Sequence, residues 1–221
     1  TKILAKVRDE HREIADDGPY SRIDLRDRLS LLRHIALTMQ EGAGEVDEGQ
    51  TIEVDKETVS GWVRKWLDSN SYPDLDENFV LRKLVERSSL IREPTVNKID
   101  FVHRSFMEFL SANEIVLKRE PFSIQQHIEH DQWWSTLQFC MDTETGAHFF
   151  AGELLKTLVE YVIREKKGDR SLLVRVSRLL ASASEIPVSK HAALADAFSK
   201  IVPLRSWDEV DAFVHFPFEC I

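Results

Sequence analysis

At 221 residues the chain is long enough for one large domain or two small ones. It is 43% hydrophobic and 30% charged, the balance of an ordinary globular protein, and only 8 Gly and 7 Pro favour helices over a turn-rich β fold. A net charge of −9 argues against a general nucleic-acid binder, because phosphate contacts need concentrated Lys and Arg.

No uncharged apolar run approaches the length of a membrane span, and no signal-peptide pattern opens the chain. Cys140 and Cys220 lie far apart and form no CxxC. They read as buried thiols in a reducing cytoplasm. The chain starts at Thr1 inside a helical pattern, as expected of a piece of a longer protein.

Taken in order, residues 1–21 carry Ile3, Leu4, Val7 and Ile14 among many charges, then break at Asp17-Gly18-Pro19-Tyr20-Ser21. They read as a helix linking from an upstream region. Ile23, Leu25, Leu29, Leu32, Ile35, Ala36 and Met39 then make the apolar face of a second helix. It ends in Glu41-Gly42-Ala43-Gly44-Glu45, a Gly-rich turn. No Lys-Ser/Thr follows that turn and no buried strand precedes it, so it is not a phosphate loop.

Residues 51–54 suit a short strand. Asp55 is placed to cap a helix whose stripe is Val59, Trp62, Val63, Trp66 and Leu67, at i, i+3, i+4, i+7 and i+8. Two tryptophans on such a stripe read as core and not as a ligand platform. Asp76 is placed to cap the next helix, with Phe79, Val80, Leu84 and Val85 facing inward. Residues 89–93 and 98–102 flank Pro94-Thr95-Val96-Asn97 and read as a β-hairpin. Three helices, a short strand and a closing hairpin give the order of a winged helix with the hairpin as wing. Residues 22–118 are therefore expected to form that domain.

The stretch from Lys98 to Asn113 changes period within itself. Ile99, Phe101 and His103 alternate as in a strand, whereas Phe106, Phe109, Leu110, Asn113 and Leu117 fall at helical intervals. Ser105-x-x-Glu108 has the spacing of a capping box, which would start a helix beside His103. Two readings of His103 stand at this point. It packs or caps at the junction, or it faces helix N-terminal amides where an anion can be held.

Leu90-Ile91-Arg92-Glu93-Pro94 and then Phe101-Val102-His103-Arg104-Ser105-Phe106-Met107-Glu108-Phe109-Leu110-Ser111-Ala112 resembles the end of the winged-helix domain of NACHT-type STAND NTPases. These are signalling ATPases that include animal nucleotide-binding leucine-rich-repeat receptors and bacterial relatives. The family pattern is Phe-x-His-x-Ser/Thr-Phe-Gln-Glu-Phe/Tyr-x-Ala-Ala. This chain departs from it at Met107, where Gln is usual, and at Ser111, where Ala is usual. The resemblance implies that His103 is the winged-helix histidine that contacts the β-phosphate of bound ADP and holds a closed state. It also implies an upstream ATPase domain using ADP and ATP with Mg, homo-oligomerisation on activation, and a role in innate immunity or antiviral defence.

Residues 119–221 are patterned as helices without strands, over residues 122–130, 131–141, 149–164, 171–183, 190–201 and 207–216. Short loops between them suggest antiparallel hairpins in a helical bundle or short α-solenoid, though no fixed-period repeat occurs. His127-Ile128-Glu129-His130-Asp131 has a His-x-x-His spacing beside carboxylates. A solvated helix gives the same pattern, and further ligands are absent nearby, so no metal is assigned. Neither Gly-x-x-x-x-Gly-Lys-Ser/Thr nor Gly-x-Gly-x-x-Gly occurs, and no Ser or Cys sits in a Gly-flanked elbow. No catalytic residue is proposed and the chain is read as no enzyme by itself.

The sequence thus reads as mainly α: a winged helix with a β-hairpin wing, then a helical domain. Its expected function is regulatory, with His103 as the one nucleotide-contacting residue. The alternative from a different class is a non-enzymatic winged-helix and helical module that binds a protein or DNA partner.

Overall fold

The structure is a computed structural model describing residues 18–43, 52–118, 129–142 and 169–182, with the positions 127, 154, 157, 158, 161, 199, 203–207, 209 and 210. All or nearly all of the helices expected over residues 2–16, 122–130, 149–164, 190–201 and 207–216 lie outside these, as does Cys220. The described residues are mainly helical, with six α-helices and a small antiparallel sheet of three strands. The chain divides into two compact units, Thr1–Glu114 and Ile115–Ile221.

The first unit opens with a 3-10 turn, Gly18–Arg22, and helix α1, Leu25–Gly42. The Asp24 carboxylate accepts the Asp27 N–H at 2.8 Å and so satisfies one of the free amides of the first turn. Leu31, Leu32, Ile35, Ala36 and Met39 are buried. Leu25, expected on that face, is 39% exposed, because it is the first helical residue and precedes the packed turns.

Strand β1 is only Val54–Asp55, and α2, Lys56–Ser69, follows at once. Asp55 stands at the N-cap as expected, yet its side chain does not cap. Its carboxylate meets Lys98 Nζ at 2.9 Å, and the Lys56 N–H donates instead to the Asn97 carbonyl at 2.9 Å. Val59, Val63, Trp66 and Leu67 are buried, and Trp62 is half-buried against the same core. Helix α3, Glu77–Ser88, is capped as expected by Asp76, whose carboxylate accepts the Phe79 N–H at 2.6 Å. The Ser60 hydroxyl and the Asn78 side chain, 2.8 Å apart, tie α2 to α3.

Strands β2, Ile91–Arg92, and β3, Lys98–Phe101, form the hairpin, with Asn97 in the left-handed region at φ +63 where the turn demands it. The sheet order is β1-β3-β2. Val54 pairs with Ile99 and Asp55 with Lys98 on one side, Ile91 with Phe101 and Arg92 with Asp100 on the other. The central strand β3 runs into α4, Arg104–Lys118.

One core unites these elements: Leu31, Ile35 and Met39 of α1, Val63 and Trp66 of α2, Leu81 and Leu84 of α3, Ile99 and Phe101 of β3, Met107 and Leu110 of α4. The face of α4 differs from its sequence reading. Phe106 and Phe109 are only half-buried and Leu117 is 56% exposed, while Met107, Ser111, Ile115 and Val116 are inside. The helix is therefore rotated by about one position from the stripe that its aromatic residues suggest.

In the second unit a 3-10 turn, Asp131–Trp133, leads into α5, Trp134–Asp142, which packs against α6, Arg170–Ser182. Trp133, Leu137, Cys140, Met141, Val176 and Leu179 are buried. The segment is two-faced, since Asp131, Ser135 and Gln138 are exposed. Cys140 is a buried thiol outside any disulfide, and burial pushes its pKa up, which keeps it protonated.

Two substitutions on α2 test this packing. Trp66 is 5% exposed and stacks on Tyr72 with ring centroids 6.0 Å apart. Trp66→Ala should cost about 3–5 kcal/mol in urea unfolding, and a cost below about 1 kcal/mol would place Trp66 outside the core. Gly61 lies in the helix interior, and a Cβ there meets nothing within 4 Å. Gly61→Ala should therefore stabilise by about 0.5–1 kcal/mol in the same assay.

Candidate functional site: the junction of β3 and α4

The site is built by a change of backbone regime within three residues. β3 ends at Phe101, whose neighbour Val102 still donates its N–H to the Leu90 carbonyl at 2.9 Å across the hairpin. His103 comes next and is exposed, and α4 starts at Arg104. The Phe106 N–H donates to the His103 carbonyl at 3.0 Å, which closes the first turn. The imidazole meets the edge of the Phe106 ring, with centroids 5.6 Å apart at 62°. Among the described residues it has no hydrogen-bond or ion-pair partner.

The capping box expected from Ser105 and Glu108 does not form. Helix α4 begins two residues earlier than that box would start it, which puts Ser105 inside the first turn with its side chain exposed. The Glu108 carboxylate turns instead to Arg104, whose Nε lies 2.9 Å from Oε1. That pair is nearly enclosed, with Arg104 17% and Glu108 8% exposed. Burial pushes the Glu108 carboxyl above its ordinary range, and the hydrogen bond and charge of Arg104 offset only part of that shift.

A second buried carboxylate supports the junction from below. Asp100 is fully buried in β3, and Arg92 meets it with two hydrogen bonds, Nε to Oδ1 at 2.9 Å and Nη2 to Oδ2 at 3.0 Å. Strand alternation sets Asp100 on the opposite face from Ile99 and Phe101, yet all three are buried. The available signal was the cross-strand pairing of positions 92 and 100 in the hairpin, which sets opposite charges side by side.

This geometry defines what the site can do. The first amides of a helix have no intrahelical acceptor and carry the positive end of its dipole. An exposed imidazole beside them adds one donor to a negatively charged oxygen. No carboxylate or hydroxyl is paired with that imidazole among the described residues.

The other histidine cluster behaves differently. His127 stacks on Trp133 at 4.0 Å, Glu129 accepts from the Tyr161 hydroxyl, and Asp131 pairs with Arg175. The three side chains thus go to separate partners. Among the described residues, no group of three or more His, Cys, Asp or Glu is placed to hold a metal ion.

Comparison with known proteins finds no matching family model, no matching curated protein and no matching solved structure. Among the described residues no helix is long and apolar enough to cross a membrane.

Glu108 gives a pH signature. Its raised pKa means that the folded state holds this proton more tightly than the unfolded chain. Its contribution to stability is then full below the ordinary glutamate pKa and is lost as pH rises through the raised value. The parent protein should therefore gain stability relative to Glu108→Gln as pH falls from about 8 toward about 4 in paired urea melts. A parent that gains nothing on the variant as pH falls, or that loses ground to it, would show that Arg104 and not burial controls this carboxyl.

Proposed function

We propose that residues 22–118 form a winged helix, and that the chain is the regulatory winged-helix and helical portion of a NACHT-like STAND signalling ATPase of the cytoplasm. The order α1-β1-α2-α3-β2-β3, with β3 central in the sheet, supports the first part. The observation that carries the second is the exposed, unpaired imidazole of His103 between the last strand and the following helix.

The donor set fits a single phosphate oxygen. The imidazole supplies one N–H, the start of α4 supplies a favourable field, and Arg104 is already committed to Glu108. In the parent protein, His103 donates to the β-phosphate of ADP bound with Mg on the upstream ATPase domain, and so holds a closed state. Replacing ADP by ATP then releases that state into a homo-oligomer. The bridge acts as a switch because His103 reaches the nucleotide in only one of the two states, and only differential contact shifts an equilibrium.

A hydrogen bond to a charged group is worth about 1.5–3 kcal/mol, or roughly ten- to a hundredfold in a closed-to-open ratio. His103→Leu should leave the melting temperature of the present chain unchanged, because the side chain is exposed. In the full-length protein it should speed ADP release by that same factor. An unchanged off-rate refutes the sensor role and favours a plain interaction module.

A further inference from the structure

The first unit contains a polar cluster at the meeting of α1 and α4. Ser111 and Glu114 are three residues apart on α4 and so share one face. Ser111 is fully buried, and its hydroxyl has no hydrogen-bond partner. Arg33 comes from α1, and its Nε is also buried without a hydrogen bond, although Oε2 of Glu114 lies 3.5 Å away. The Arg33 and Glu114 side chains are only 16% and 13% exposed.

Buried donors are nearly always satisfied, by protein or by ordered water. Two buried donors without a hydrogen bond, one beside the Glu114 carboxylate and the other one turn before it on α4, describe a site with a definite ligand chemistry. The Glu114 carboxylate repels an anion and the Arg33 guanidinium repels a cation. A neutral molecule that both donates and accepts is what remains, and the cluster offers the two to four polar partners that a buried water takes.

We propose that the junction of α1 and α4 binds one ordered water. It accepts from Arg33 Nε–H, donates to the Glu114 carboxylate and shares a hydrogen bond with the Ser111 hydroxyl. The apolar contacts of α4 through Met107 and Leu110 tolerate small rotations about the helix axis. Three directional bonds at one point do not, so the water fixes the rotation of α4 against α1. This inference stands independently of any role for His103.

Thermal melts of the whole chain in a double-mutant cycle test it. Ser111→Ala should lower the melting temperature by roughly 4 °C or more, and the same change in an Arg33→Met background should have almost no effect. An unchanged or higher melting temperature for Ser111→Ala would overturn the water, since removing an orphan hydroxyl costs nothing. Equal losses in both backgrounds would also overturn it, because the hydroxyl would then be bonded within α4 to a preceding carbonyl. Should Arg33→Met not fold, a high-resolution crystal structure of the parent chain decides. One density peak within about 3.2 Å of both Arg33 Nε and Ser111 Oγ supports the proposal, and none there refutes it.

Discussion

A carboxylate buried in the middle of a sheet is the constraint on which the first unit depends. Asp100 is shut away from water in β3, and a charge in that position is costly unless it is paired and hydrogen-bonded. Arg92 answers it with a two-pronged contact from the neighbouring strand, while its own side chain stays half in solvent. Only the register that sets Arg92 opposite Asp100 permits this. A slip of one residue would strand the carboxylate and turn Ile99 and Phe101 outward. Because β3 also pairs with β1 and runs directly into α4, that register fixes where His103 sits.

The helix that follows is unusual in what it buries. The inner face of α4 carries Met107, Leu110, Ile115 and Val116, but Glu108 and Ser111 lie among them. Arg104 covers the first of these polar groups from one turn away. Sequestering such groups adds direction to packing that apolar contacts alone leave loose. The exposed end of the same helix is correspondingly simple: one imidazole against one aromatic edge.

What the sequence disclosed followed the range of each interaction. Asp76 and the Phe79 amide are three residues apart, and the cap formed as read. Asp55 occupies the expected cap position, but a lysine from the hairpin claimed its carboxylate, which local spacing does not foresee. At Ser105 and Glu108 a local signal lost to another local signal, the pair of Arg104 with Glu108 four residues on. The stripe on α4 was legible in period but not in phase: Leu117 points to solvent and Ser111 lies inside. His103 was visible because a strand period changes to a helix period around it. Its expected ligand came from resemblance to a family.

The turn at residues 94–97 looks like an ordinary exposed loop tip, with Val96 86% exposed. Its ends tell otherwise. The Glu93 carboxylate accepts the Asn97 N–H at 3.0 Å and meets Lys56 Nζ at 2.7 Å, while the Asn97 carbonyl takes the Lys56 N–H. The turn is thus clasped to the first residue of α2 by both backbone and side chain. Surface loops are usually where a chain accepts inserted residues. Here each added residue would pull Asn97 away from Lys56 and uncap a helix, so an epitope or tag is better placed elsewhere.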